Sequence, residues 1–128
     1  MKQPEWLTTQ MVVAIHAEQL AIFGGSAGLR DRALLESALG RPRNKWAYEK
    51  SGLATLAAAY GFGIVRNHPF VDGNKRTALL AIYTFLGINK IDFVVPEPEA
   101  AAMILSVASG DVGEENLAQW IADGVGRK

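Results

Sequence analysis

Apolar positions recur at helical spacing through most of this chain. After Thr8 and Thr9, either of which can cap a helix, Met11, Val12, Ile15, Leu20 and Phe23 keep that period until Gly24-Gly25 stops it. The pattern predicts a first helix from Thr9 to about Phe23. Asp31 is a second cap, opening a short helix through Leu34, Leu35 and Leu39 that is expected to end near Gly40 and Pro42. Arg41 to Lys50 then reads as a polar connection. A third helix is expected from Ser51 through Leu53, Leu56, Ala57, Tyr60 and Ile64, with enough alanine and glycine to let a neighbouring helix come close. The fourth, about Lys75 to Leu86, is apolar almost all round its axis and belongs in the middle of the protein. Ile88 to Val95 has the short, β-branched look of an extended segment ended by Pro96. Two more helices follow, one from Glu97 or Pro98 to Ser109 and one from about Glu114 to Asp123.

The class is therefore all-α with at most a vestigial hairpin, a compact bundle of about six helices around the buried fourth. With no internal repeat, low-complexity stretch or linker, residues 1–128 are expected to form a single domain. A chain of 128 residues can bury a sizeable core without staples, so the absence of cysteine is no handicap and excludes thiolate and disulfide chemistry. Thirteen basic residues balance thirteen acidic ones, which leaves none of the overall positive charge of a dedicated nucleic-acid binder. The start of the chain lacks a signal-peptide pattern and no apolar run is long enough to span a bilayer, so a cytoplasmic protein without membrane attachment is expected.

Chemistry concentrates in the run His68-Pro69-Phe70-Val71-Asp72-Gly73-Asn74-Lys75-Arg76, between the third and fourth helices. A helix N-terminus offers unpaired amides and the positive end of a dipole. Gly73 and Asn74 just before it let the backbone turn and approach an anion, and Lys75 and Arg76 add charge, which together make a phosphate cradle. Arg76 is the better clamp because its planar fork donates two hydrogen bonds at fixed geometry. Asp72 is placed to hold Mg2+, which needs only one or two protein carboxylates beside phosphate oxygens and water. His68 is the candidate general base, since histidine as a residue type exchanges a proton near neutral pH. Phe70 is expected to point into the core and anchor the loop. Plainer roles exist for each: His68 as a hydrogen-bonded loop residue, Asp72 as a helix cap, Lys75 and Arg76 as solvated charges. Cations in a first turn oppose the helix dipole unless an anion joins them, which favours the ligand reading.

This run resembles the signature of the Fic superfamily, His-Pro-Phe-x-acid-Gly-Asn-x-Arg between two central helices, at His68, Pro69, Phe70, Asp72, Gly73, Asn74 and Arg76. Within it the chain is similar to the Doc, or death-on-curing, branch, over about Leu7 to Ile121. Lys75 stands where adenylyl-transferring members carry a glycine, Leu79 stands where they carry a second arginine, and Gly28 to Leu39 is similar to a Gly-x-Arg-Asp…Leu-x-Ser-Ala stretch of Doc proteins. The inhibitory Ser/Thr-x-x-x-Glu-Gly/Asn motif of many Fic enzymes is missing, because Asp111 lies four residues before Glu115-Asn116.

The resemblance implies a toxin of a type II toxin-antitoxin system: an ATP-dependent protein kinase that phosphorylates a threonine of elongation factor Tu and halts translation. It implies ATP and Mg2+, His68 taking the threonine proton, Asp72 holding the metal, and Gly73, Asn74, Lys75 and Arg76 on the phosphates. It also implies restraint by a Phd-like antitoxin whose C-terminal segment lies in a groove. The alternatives are an adenylyl transferase of ordinary Fic type and a non-catalytic binding module. The polar stretch around Asn44, Lys45 and Tyr48 lies where Fic proteins place a flap that aligns a target peptide. His16 and the tryptophans Trp6, Trp46 and Trp120 are read as packing residues, while Arg66 and Asn67, just before the loop, could contact substrate or nucleotide or equally end the third helix, and are left out of the site.

Overall fold

A computed structural model describes residues 2–126 and contains six helices: α1 (Thr9–Phe23), α2 (Arg32–Glu49), α3 (Leu53–Asn67), α4 (Asn74–Ile88), α5 (Glu97–Ser109) and α6 (Glu114–Gly124). Thr8 caps α1 by accepting from the Met11 amide, and Asp31 caps α2 by accepting from the Leu34 amide, so the two caps read from sequence operate. Among the described residues there is no strand. The expected extended segment contributes one antiparallel bridge, Phe93 to Val125, because α4 runs on to Ile88 and a turn follows. A second bridge joins Leu29 to Phe70. No helix among the described residues is long and apolar enough to cross a membrane.

The expected break at Gly40 and Pro42 does not occur. α2 continues for 18 residues, with Pro42 inside it. Leu35, Ala38, Leu39 and Pro42 form one buried stripe at helical spacing, and half-buried Trp46 extends it. Burial of that stripe outweighs the single helical hydrogen bond that a proline cannot donate. The polar residues beyond Gly40 are anchor points rather than a connection: Arg41 and Lys45 both pair with Glu114 at the start of α6. Lys50, in the left-handed conformation at φ 51°, ends the helix.

α3 and α4 share the centre. α3 packs against α2, α4, α5 and α6, and α4 against α1, α3 and α5. Every residue from Leu56 to Gly61 is buried, and its small side chains set the spacing. A Cβ on Gly63 would lie 3.2 Å from the Ala38 Cα, so α2 and α3 touch backbone to backbone there. An N-terminal strap closes the other end: Leu7 is buried, its amide donates to the Tyr60 hydroxyl at 3.0 Å, and Trp6 stacks on Phe85 and meets Trp46 edge-on. Burial pushes the Tyr60 hydroxyl up to about 12, so it stays protonated. Trp120 packs edge-on against Phe93, in line with the structural role expected of all three tryptophans.

The close α2–α3 contact gives a stability test. Gly63→Val is expected to lower unfolding free energy by about 1–3 kcal/mol through overpacking, seen as a lower urea midpoint with unchanged slope.

Candidate active site

The loop from His68 to Gly73 leaves α3 and enters α4, and several separate restraints fix its shape. His68 ends α3 in the left-handed conformation (φ 51°, ψ 55°), its amide donating to the Ile64 carbonyl. That conformation is unfavourable for a residue with a Cβ, by about 1–2 kcal/mol. Arg30 compensates by gripping the turn: its Nε donates to the His68 carbonyl at 2.8 Å and its Nη2 to the Asn67 carbonyl at 3.0 Å. The amides of Arg30 and Asp31 both donate to the Pro69 carbonyl, and Val71 donates to Gly28. The Doc-like stretch beginning at Gly28 is therefore the brace of the loop.

Phe70 is 1% exposed and anchors the loop in the core, as expected. Asn74, 4% exposed, encloses it: its Oδ1 accepts from the Phe70 amide at 3.0 Å and its Nδ2 donates to the Phe70 carbonyl at 2.9 Å. Both ends of the carboxamide are committed to the loop backbone. The side chain thus serves as the template of the turn and is not free for a ligand. Gly73 (φ 79°) precedes it as N-cap, and a Cβ there would lie 3.6 Å from His16 Cδ2 and Leu20 Cδ2. The amides of Asn74, Lys75 and Arg76 open the helix with no carbonyl a turn before them to accept. A helix start of this kind is able to receive an anion.

Asp72 is exposed and is tied by both oxygens, Oδ1 accepting from the Gly73 amide at 2.8 Å and Oδ2 from the Ser26 amide at 3.2 Å. These backbone donors, the Ser26 amide first, hold its carboxyl below the ordinary value of 3.8, with Arg76 and His16 adding to the effect. Gly25 (φ 122°) makes room, since a Cβ there would stand 2.7 Å from Asp72 Oδ2. An ionised carboxylate whose oxygens each keep a free lone pair fits an ion held otherwise by phosphate and water. Among the described residues no group of three metal-ligating side chains forms a protein cage.

His68, Asp72, Gly73, Asn74, Lys75 and Arg76 all line one cleft of about 540 Å³, so the structure brings every candidate residue together. The opposite wall is apolar, built from Leu79 on α4 and from Ala101, Ile104, Leu105 and Ala108 on α5. The volume is that of a small-molecule site.

Several supporting residues escaped sequence reading. His16, read only as packing, is 5% exposed, lies flat on Phe70 with ring centroids 3.8 Å apart, and places Nε2 2.8 Å from the Asp72 carbonyl. It is a prop of the loop from beneath. Arg30 and Ser26 are likewise joined to the loop only in three dimensions. Two signals were available in sequence: the Gly-x-Arg-Asp stretch that holds Arg30, and the helical spacing of His16, Leu20 and Phe23, which puts all three on the face of α1 that meets the loop. The expected flap is overturned: Asn44, Lys45 and Tyr48 lie within α2, where backbone groups bond along the helix and cannot pair with a peptide strand. Arg66 and Asn67 do end α3; Asn67 Nδ2 donates to the Leu34 carbonyl, and Arg66 lies over the Phe62 ring.

Comparison with known proteins settles the family. A model described as the Fic/DOC family matches residues 6–86, well over half of the chain and all of the loop. The chain belongs to the Fic/DOC family. It is 31% identical over 116 residues to the protein kinase doc of Escherichia phage P1, covering 90% of this chain and 91% of that one. It is 39% identical over 108 residues to the toxin Doc of Mycolicibacterium smegmatis, covering 78% and 80% respectively. In this Fic/DOC chain the family match spans α1 to α4, whereas the apolar wall on α5 lies beyond it.

Two measurements test this geometry. Asn74→Ala is expected to lower stability by about 1–3 kcal/mol, because the Phe70 amide and carbonyl lose their partners, and to weaken nucleotide binding in the same variant. Unchanged stability would mean that the carboxamide serves only a ligand. Because the folded-state pKa of Asp72 is depressed, its ionised form stabilises the protein above the ordinary value of 3.8, and that contribution is lost as pH falls through the lower folded value. The stability difference between the unsubstituted protein and Asp72→Asn should therefore be constant near neutral pH and shrink below about pH 4.

Proposed function

We propose that this chain is the toxin of a toxin-antitoxin pair and transfers the γ-phosphoryl group of ATP to a threonine hydroxyl of elongation factor Tu in the cytoplasm. The observation that carries the reading is the make-up of the cleft: Lys75 occupies the cradle and the apolar Leu79 lines the wall, so no second arginine clamps a diphosphate there. The names of two relatives, protein kinase doc and toxin Doc, support it.

In this reading the α4 amides of Asn74, Lys75 and Arg76, with the two cationic side chains, receive the negative charge of the phosphates. Asp72, held ionised by the Ser26 and Gly73 amides, is the residue that holds Mg2+. Bound there, Mg2+ would supply neutralisation of the phosphate charge. His68 takes the proton of the threonine hydroxyl as its oxygen forms a bond to the γ-phosphorus, and the bond from that phosphorus to ADP breaks. Positioning and electrostatics supply most of the acceleration in such a transfer. His16, Arg30 and Phe70 hold the loop still while it occurs. A Phd-like antitoxin whose C-terminal segment lies in a groove of the toxin supplies the restraint that the chain's own sequence lacks.

The purified protein, incubated with ATP, Mg2+ and elongation factor Tu, should raise the target's mass by one phosphoryl group, and His68→Ala should not. A gain of one nucleotidyl group would instead establish adenylyl transfer, and an unmodified target would leave a binding module or another substrate. Arg30→Ala, which frees the carbonyls of His68 and Asn67, is expected to lower the transfer rate roughly ten- to hundred-fold with the fold intact by circular dichroism. Expression without a partner should arrest growth, and His68→Ala and Arg76→Ala should each relieve it.

A further inference from the structure

Arg76 is exposed, yet its side chain lies against an aromatic ring. Its guanidinium carbon lies 4.2 Å from the centroid of the Phe23 ring, over the ring face, while the residue still lines the cleft. Phe23 is the last residue of α1 and is 56% exposed, an unusual place for a large aromatic that contributes nothing to the core. It completes a series on one face of α1: His16 against Phe70 and Asp72, Leu20 against Gly25 and Gly73, and Phe23 against Arg76. The whole face is a backing for the loop, and its outermost member touches the clamp itself.

Two physical facts give this contact a purpose. A cation in the first turn of a helix is pushed away by the helix dipole, so Arg76 needs a local attraction to remain at the mouth of the cleft. A guanidinium stacked on an aromatic face also keeps its N–H donors in the plane of the fork, free for an anion, whereas a salt bridge would consume them. No carboxylate lies within salt-bridge distance of Arg76 among the ion pairs of the described residues. We infer that Phe23 is a positioning residue for Arg76: the ring holds the guanidinium plane at the cleft and presents its donors to the phosphate oxygens of the nucleotide. The inference rests on the nucleotide reading proposed above and extends it to a residue outside the signature loop. The ring acts only through Arg76 and touches no reacting atom.

The test measures binding of a non-hydrolysable ATP analogue with Mg2+ to the full chain, with three variants and one spectroscopic readout. Phe23→Leu, which keeps bulk and removes the ring, should weaken binding about two- to five-fold, the range expected of an exposed cation–π contact, while Phe23→Tyr stays near the unsubstituted protein. In an Arg76→Ala background Phe23→Leu should add nothing, because its effect passes through the arginine. The Arg76 Nε–Hε NMR signal should carry a ring-current shift that Phe23→Leu removes. Unchanged or tighter binding in Phe23→Leu, an equal loss in Phe23→Tyr, or a full additional loss in the Arg76→Ala background would overturn the inference. If the unsubstituted protein binds no analogue, the nucleotide reading falls, and the NMR signal still decides the contact: a signal identical in both proteins overturns the inference, and a shifted one upholds the presentation of Arg76.

Discussion

Everything at the site depends on one pair of hydrogen bonds, those by which Asn74 returns both ends of its buried carboxamide to the backbone of Phe70. The pair closes the turn over Phe70 and sets the point at which α4 begins. Without it Phe70 would hold two unsatisfied polar groups in the core, and the start of α4 would lose its fixed place. The signature residues accordingly fall into two kinds. Phe70, Asn74 and Gly73 make the loop; His68, Asp72, Lys75 and Arg76 are carried by it into the cleft. An asparagine is well suited to the first task because one side chain offers a donor and an acceptor at the spacing of a single residue's amide and carbonyl.

Around that turn the protein stacks supports that come from distant parts of the chain. α1 props the loop from beneath through His16 and Leu20, and the turn after α1 wraps Asp72 through Gly25 and the Ser26 amide. The segment before α2 braces the His68 side through Arg30. These contacts hold a left-handed histidine and an ionised carboxylate in fixed positions, which is what a transfer governed by positioning demands. The balance of charge is deliberate as well. Two cations start α4 against its dipole, an arrangement that a bound anion would relieve.

Much of this was legible in the order of residues, and the failures have physical causes. α1, α5 and α6 lie where periodicity places them, because amphipathic spacing is a local signal, and in α1 the Thr8 cap adds to it. α2 was misjudged at Gly40 and Pro42 because local propensity suggested a stop, whereas the stripe Leu35, Ala38, Leu39 and Pro42 gains more by staying packed on α3. The supposed flap failed for the same reason. In the site, the contiguous loop declared itself since its chemistry is concentrated in nine residues. His16 and Arg30 stayed hidden because their partners lie 56 and 38 residues away, and nothing local in a helical histidine or a loop arginine reveals such a contact. Asn74 was assigned to the ligand when its side chain belongs to the fold; only the burial of both its polar ends distinguishes the two.

The central claim is that the cleft brings the outermost phosphate, rather than the innermost, to His68. A crystal structure of the full chain with Mg2+ and a non-hydrolysable ATP analogue tests it directly. The account predicts the γ-phosphorus nearest the His68 imidazole, with its oxygens on the α4 amides and Arg76. An α-phosphorus at His68, with the γ-phosphate turned away along the cleft, would contradict it.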